Sequence, residues 1–229
     1  IFDGEAHSVM NYPMGDGICR WIRYGNWEHL VYTVNEISKY PEAVQDVLWN
    51  FTDSHDNPRL TNLLAAPGMI ECPFQGRLWK MENNFMLPNG QCDTYRFRKF
   101  EADNEDKFDL KRAYEMQKLA SLMQYEMRGN PIVYYGTEAG LTGFKDPFNR
   151  KPYPWDNVNE DMLEHYSKIG RLRADHKDIF GKGSIKVEAD SEQAEICRSI
   201  NGQTIRTTIN RLKTIKDCKC SWTKEIIIV

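Results

Sequence analysis

Leu48-Trp49-Asn50-Phe51-Thr52-Asp53-Ser54-His55-Asp56-Asn57-Pro58-Arg59 is the stretch on which the fold turns. Five residues rich in apolar and β-favouring side chains read as a short buried strand, and they break without a spacer into a polar run. Putting a carboxylate and an imidazole at the end of a buried strand costs free energy unless they hydrogen-bond to something. One reading of Ser54-His55-Asp56 is a turn or cap, because Ser and Asp favour both. The other is a site at the carboxyl end of a strand. A Ser-His-Asp hydrolase triad is not implied, since adjacent residues point in different directions and triads draw on separated positions.

Outward from this stretch, strands and helices alternate. On the amino-terminal side, His7–Tyr12 is strand-like, stops at Pro13 and leads into a Gly15-Asp16-Gly17 loop. Trp27, Leu30, Val31, Val34 and Ile37 recur at helical spacing, and Pro41 to Val47 adds a further turn or two. On the other side, Ala65 to Asp103 is an irregular excursion broken by prolines and glycines, longer than loops usually are without a functional reason. A strong helix is predicted from about Asp106 to Arg128, with Ala113, Met116, Ala120, Met123 and Met127 on one stripe and Leu119 and Leu122 beside it. Gly129 and Asn130 close it, and Pro131–Tyr135 is another short buried strand ending at Gly136. A further helix is predicted over roughly 160–176.

Strand, helix, strand, with polar residues just after each strand, is the pattern of a parallel α/β fold, whose chemistry sits at the strands' carboxyl ends. After Gly183 the pattern changes. Ile185–Val187, Glu195–Arg198 and Thr204–Ile209 alternate apolar and polar residues, as strands of a small antiparallel β module do. The boundary falls near Gly181–Gly183, giving units of 1–181 and 182–229.

Composition narrows the function. The 229 residues are 41% hydrophobic and 28% charged, enough to bury a core, which sets disorder aside. Thirty basic against 33 acidic residues, with no basic block, disfavour nucleic acid and anionic membranes as partners. No apolar run approaches a bilayer span, the terminal Ile226–Val229 included. Six cysteines without a C-x-x-C pair suit a reducing cytoplasm, and five histidines without an H-x-x-x-H pair give no support for a zinc site. Cys218 and Cys220 read as free thiols, and the basic Arg211–Lys219 as a solvated edge. Asn50-Phe51-Thr52 is formally a glycosylation sequon but lies within the apolar run. The first residue is Ile, which implies a cleaved leader or a chain cut from something longer.

Asn50–Arg59 resembles the seventh-strand motif of the α-amylase family, glycoside hydrolase family 13, and most of all its neopullulanase and cyclomaltodextrinase branch. Gly129-Asn130-Pro131-Ile132-Val133-Tyr134-Tyr135-Gly136-Thr137-Glu138 is similar to the eighth-strand motif, and Gly143–Trp155 to the loop after it. Val9-Met10-Asn11-Tyr12-Pro13 resembles the sixth strand. Four matches in the right order run from residue 1 to about 156. The resemblance implies strands six to eight of a (β/α)8 TIM barrel, followed by the start of a C-terminal β-sandwich-like domain. The substrate would be an α-glucan or maltooligosaccharide, with no organic cofactor, and nothing in the sequence forms a calcium loop of EF-hand type.

Carried over to this sequence, the resemblance makes Asp56 the catalytic carboxylate that binds hydroxyls of the sugar beside the scissile bond and favours an oxocarbenium-like ring. His55 would donate to the same sugar, and Asp146 and Arg150 would lie at neighbouring subsites. Arg59 is expected to be structural, pairing with a carboxylate near the barrel rim. The family's nucleophile Asp and acid Glu belong to strands four and five, which this chain does not include. Glu5 stands too close to the sixth strand to be that acid and reads as a loop residue. Three strands also leave two sheet edges open, where a barrel closes with eight strands in about 250 residues. A non-catalytic amylase-like protein that binds sugar or a partner is the alternative, and a small-molecule-binding α/β domain unrelated to sugars is a third reading. Among the tryptophans at 21, 27, 49, 79 and 155, any of which could stack on a sugar, Trp27 and Trp49 are expected in the core and Trp79 is the better stacking candidate.

Overall fold

Met10, Trp49 and Asn130 stand side by side on three parallel extended segments in the computed structural model, which describes residues 6–65, 99 and 102–228. The backbone joins them through Asn11 N to Trp49 O (2.8 Å), Trp49 N to Val9 O (2.9 Å), Asn130 N to Leu48 O (2.7 Å) and Ile132 N to Asn50 O (2.7 Å). The regular strands are short: β1 is Trp49–Asn50 and β2 is Asn130–Pro131. Past Ile132 the expected strand leaves the ladder, and Tyr134 and Tyr135 turn to pack beside Arg59.

Each extended segment runs into helices. The first leads into α1 (Tyr12–Tyr24), α2 (Trp27–Ser38) and α3 (Glu42–Gln45). β1 leads to α4 (Leu60–Ala65) and, further on, α5 (Leu110–Glu126). β2 leads to α6 (Glu160–Asp175) and α7 (Lys177–Lys182). The apolar stripe of α5 is buried as the spacing predicts, Ala113, Leu119, Ala120, Leu122 and Met123 having no exposed surface. Its amino end is capped by Asp109, which accepts from Arg112 N at 3.1 Å.

Helix α1 departs from expectation, because the Gly15-Asp16-Gly17 loop is helical. Asn11 caps it by accepting from Met14 N (3.4 Å), and Pro13 lies in the first turn, where a missing N–H costs nothing. The glycines let the helix press onto its neighbours: a Cβ on Gly15 would lie 2.3 Å from the Phe51 carbonyl oxygen. The two tryptophans expected in the core also differ. Trp27 is 39% exposed at the first position of α2, and Trp49 is 45% exposed.

The reason for Trp49 is register. Residues in register share a face, and Met10, Trp49 and Asn130 all lie exposed on one side of the ladder. The other side is covered and carries a polar ladder. Asn11 Nδ2 donates to Asn50 Oδ1 (2.8 Å), Asn50 Nδ2 to Arg128 O (2.8 Å), and Gln124 Nε2 to the carbonyls of Asn50 (2.9 Å) and Ile132 (2.7 Å).

An antiparallel meander follows, in the order β3 (Ser184–Ala189), β4 (Gln193–Ile200), β5 (Gln203–Asn210) and β6 (Trp222–Ile228). Ala194, Ile196, Ile205 and Ile209 are buried on its inner face, and Val187, Ala194, Ile196 and Ile209 share one apolar cluster with the helices. Arg198 crosses this junction fully buried. It donates to the carbonyls of Ser184 (3.2 Å), Ile179 (3.1 Å), Phe180 (2.9 Å), Gly183 (2.9 Å) and Glu126. The buried Glu126 carboxyl accepts from Thr207 Oγ1 at 2.6 Å, and burial pushes its pKa up to about 7. The expected solvated edge at 211–219 is instead α8 (Arg211–Asp217) with its first residue buried. Arg211 holds the carbonyls of Ile22 (2.7 Å), Arg23 (2.7 Å) and Ser191 (2.8 Å), tying the meander to the end of α1. Among the described residues, no helix is long and apolar enough to cross a membrane.

Candidate active site

The polar run after β1 forms a turn with a buried root and an exposed tip. Thr52, Asp53 and Ser54 are buried, whereas the side chains of His55 and Asp56 are 54% and 60% exposed. Ser54 makes the turn: its hydroxyl accepts from Asp56 N (3.2 Å) and Asn57 Nδ2 (3.4 Å), and its carbonyl from Asn57 N (3.3 Å). The turn reading therefore holds for Ser54, and its hydroxyl is engaged within the turn rather than with a triad. His55 Nε2 and Asp56 Oδ2 stand 3.4 Å apart at the tip, open to any molecule above the strand ends.

The root is a network that joins this turn to the loop after β2. Asp53 accepts from Thr137 Oγ1 (2.7 Å) and Leu60 N (3.1 Å), and burial raises its pKa to about 6 against those hydrogen bonds. Arg59 is fully buried beside it. Its Nε donates to Asn149 O (2.9 Å), its Nη1 to Tyr135 O and Thr137 Oγ1 (3.3 Å), and its backbone N to Gly143 O (2.8 Å). The guanidinium lies 4.0 Å and 4.6 Å from the ring centres of Tyr134 and Tyr135. Arg59 is structural as expected, but its hydrogen bonds go to carbonyls and a hydroxyl. Thr137 relays it to the Asp53 carboxylate. Burial draws its pKa down, with Asp53 opposing.

Asn149 is the second fastener. Its side-chain amide donates to the carbonyls of Ser54 (3.2 Å), His55 (2.8 Å) and Asn57 (2.7 Å), so it grips the turn that presents Asp56. Asn149 itself lies between Asp146 and Arg150, whose side chains form an ion pair, each about half exposed. Asn62 braces the same loop from below, accepting from Gly143 N (2.6 Å) and donating to Glu105 Oε1 (2.7 Å). The four sequence-predicted residues thus sit as two exposed pairs on two loops stitched together by Asn149 and Arg59. Sequence reasoning passed over Asn149, Asp53 and Thr137. Their only local signal was polarity directly after apolar runs, while their partners lie some 80 to 95 residues away along the chain.

Glu5, Trp79, Cys72, Cys92, Val229 and nearly all of the 65–103 excursion lie outside the described residues. The four described cysteines, Cys19, Cys197, Cys218 and Cys220, are free. Among the described residues, no group of three or more His, Cys, Asp or Glu is placed to hold a metal ion.

Two short parallel strands framed by helices, with charged pairs on the loops after them and an antiparallel meander behind, match known structures of glycoside hydrolases. The ligand-free cyclic α-maltosyl-(1→6)-maltose hydrolase of Arthrobacter globiformis superposes with a TM-score of 0.69 at 19% identity, over 98% of this chain and 46% of that one. A cyclomaltodextrinase structure gives 0.61 at 24% identity, over 89% of this chain and 28% of that one. No family model matches. In sequence, the chain is 25% identical over 218 residues to the maltogenic α-amylase of Bacillus acidopullulyticus, covering 91% of this chain and 29% of the relative. It is 26% identical over 219 residues to neopullulanase 2 of Thermoactinomyces vulgaris, covering 92% and 29%. The chain is thus related to glycoside hydrolases of the α-amylase family, and it spans about three-tenths of the length of these curated relatives.

Proposed function

We propose that this chain is the part of an α-glucan-acting glycosidase that supplies barrel strands six, seven and eight, with Asp56 as the carboxylate that stabilises the transition state. The observation that carries this is the exposed His55–Asp56 pair on a turn whose root is locked by Arg59 and Asn149. Such a turn holds its carboxylate in place before substrate arrives, which is what transition-state binding requires. Asp56 accepts hydrogen bonds from sugar hydroxyls beside the scissile bond, and His55 reaches the same ring. Asp146 and Arg150 serve neighbouring sugars.

Cleavage proceeds with retention, using a nucleophile Asp and an acid Glu roughly 5 Å apart that precede this chain in the full protein. The open face bearing Met10, Trp49 and Asn130 supports that arrangement, because further strands of a barrel would cover it. We assign 1–181 to the barrel and 182–229 to the start of a β-sandwich-like domain, supported by the first antiparallel strand at Ser184. The substrate is an α-glucan or maltooligosaccharide, in keeping with relatives named maltogenic α-amylase and neopullulanase. A cytoplasmic location is in keeping with a relative named intracellular maltogenic amylase.

The test is Asp56→Asn in the protein at its natural length. Losing a contact that tightens in the transition state should lower kcat by about 100-fold or more with little change in KM. An unchanged kcat rejects the role. Residues 1–229 alone should not turn over maltooligosaccharides.

A further inference from the structure

Of the tryptophans whose surroundings are described, one is nearly free. Trp21 is fully buried and donates Nε1–H to Asp190 O at 2.7 Å, and Lys168 lies 4.9 Å over the ring of Trp222. Trp27 and Trp49 are less than half exposed, Trp49 on the open ladder face. Trp155 is 81% exposed, the largest value among the big apolar side chains described. Leaving an indole in water forgoes burial of one of the largest apolar surfaces a side chain has, so its position needs a reason.

Trp155 is held where it is. Its ring lies 4.5 Å from that of Tyr153, tilted by 47°. The backbone closes tight turns on both sides, Trp155 N to Tyr153 O and Asn157 N to Pro154 O, each 2.9 Å. Pro152 and Pro154 restrict the chain further. Anchors come from the strand-end loop itself: Tyr135 Oη donates to Lys151 O (2.8 Å), and Asn159 N to Ala139 O (3.0 Å). Beside this platform opens a groove of about 390 Å³, lined by Tyr114, Thr142, Pro154, Asn157 and Asn159. That volume is at the lower end of small-ligand sites. Its lining sets one aromatic ring, that of Tyr114, beside the amide and hydroxyl groups of Thr142, Asn157 and Asn159, a mixture that suits a sugar with apolar C–H faces and equatorial hydroxyls.

We propose that Trp155 and Tyr153 form a stacking platform for a pyranose of an α-glucan, with the Thr142–Asn157–Asn159 groove receiving hydroxyls of that sugar or the next. The platform rests on the α-glucan reading above and extends it to a secondary binding position on the loop that carries Asp146 and Arg150. The loop is fixed before binding, so little ordering free energy is lost when the sugar stacks.

The experiment titrates maltohexaose against the protein at its natural length, in an Asp56→Asn background so that the probe is not consumed, reading tryptophan fluorescence and heat. Trp155→Ala should weaken binding about tenfold with an unchanged melting temperature, while Trp155→Phe keeps most of the affinity because an aromatic face remains. Affinity unchanged in Trp155→Ala overturns the platform and leaves the α-glucan reading standing. No binding of maltohexaose by the Asp56→Asn protein also overturns the platform, and the α-glucan reading is then judged separately by the effect of Asp56→Asn on turnover.

Discussion

Arg59 and Arg198 are both fully buried, and both direct their guanidinium groups to backbone carbonyls, yet they serve opposite ends of the molecule. The acceptors of Arg59 lie on loops without regular structure, Tyr135 and Asn149, and above them stand the exposed His55–Asp56 and Asp146–Arg150 pairs. The acceptors of Arg198 end or begin regular elements: the last residue of α5, residues in and just after α7, and the first of β3. One arginine shapes a surface by giving loops the partners that a ladder would otherwise supply. The other splices a helical layer to a sheet, with the buried Glu126 opposing the loss of its charge. The same side-chain chemistry underlies a candidate site in one place and a joint in the other.

Replacing each arginine by Met tests that division. Arg198→Met strands a buried carboxyl and several carbonyls, and should cost about 3–5 kcal/mol in urea-induced unfolding. Arg59→Met should cost about 1–3 kcal/mol, since part of its network faces peripheral loops. In the protein at its natural length and at equal folded fraction, Arg59→Met should lower kcat and Arg198→Met should not. Equal losses of activity would erase the distinction.

The buried acids sharpen the comparison through pH. Burial raises Asp53 from its ordinary 3.8 to about 6 and Glu126 from 4.5 to about 7. Each binds its proton more tightly when folded than when unfolded, so its stabilisation is complete at low pH and is lost as pH rises through the folded value. Urea stability should therefore decline by a few kcal/mol as the pH rises from about 4 to about 7, the range spanned by the unfolded and folded values of the two acids. Glu126→Gln should flatten the upper part of that decline without touching kcat, whereas Asp53→Asn should flatten the lower part and lower kcat too. Identical urea midpoints at about pH 5 and about pH 8 in the unaltered protein would contradict both assignments.

Smallest in stability is Asn149→Ala. It removes the amide that grips the turn and should cost about 1–2 kcal/mol. If the turn is what that amide secures, hydrogen exchange at Asp56 and Asn57 should accelerate while the amides of α5 stay protected. Uniform acceleration would make Asn149 an ordinary packing residue.

What the sequence made legible follows the range of the interactions. The stripe on α5 and the alternation in β4 and β5 repeat within a few residues, so local periodicity exposes them. The His55–Asp56 and Asp146–Arg150 pairs were legible as candidates because they lie in contiguous motifs. Helix α1 was hidden because Pro13, Gly15 and Gly17 are turn formers in isolation. Their helical role comes from contacts with Phe51 and Leu30, beyond the reach of local patterning. A ladder two residues long offers no alternation from which to say which way Trp49 faces. Arg211 looked like one more surface cation because two of the carbonyls that bury it belong to α1, some 190 residues earlier.

Asn50 has no exposed surface, and its side chain bonds both Asn11 and the Arg128 carbonyl beneath the ladder. A glycan attached to the Asn50-Phe51-Thr52 acceptor would have to occupy the space between strand and helix. Only a nascent, unfolded chain could accept that modification, and the product would be barred from reaching the native arrangement. Expression in a host that glycosylates such sequons should therefore favour a variant in which Thr52 no longer completes the signal.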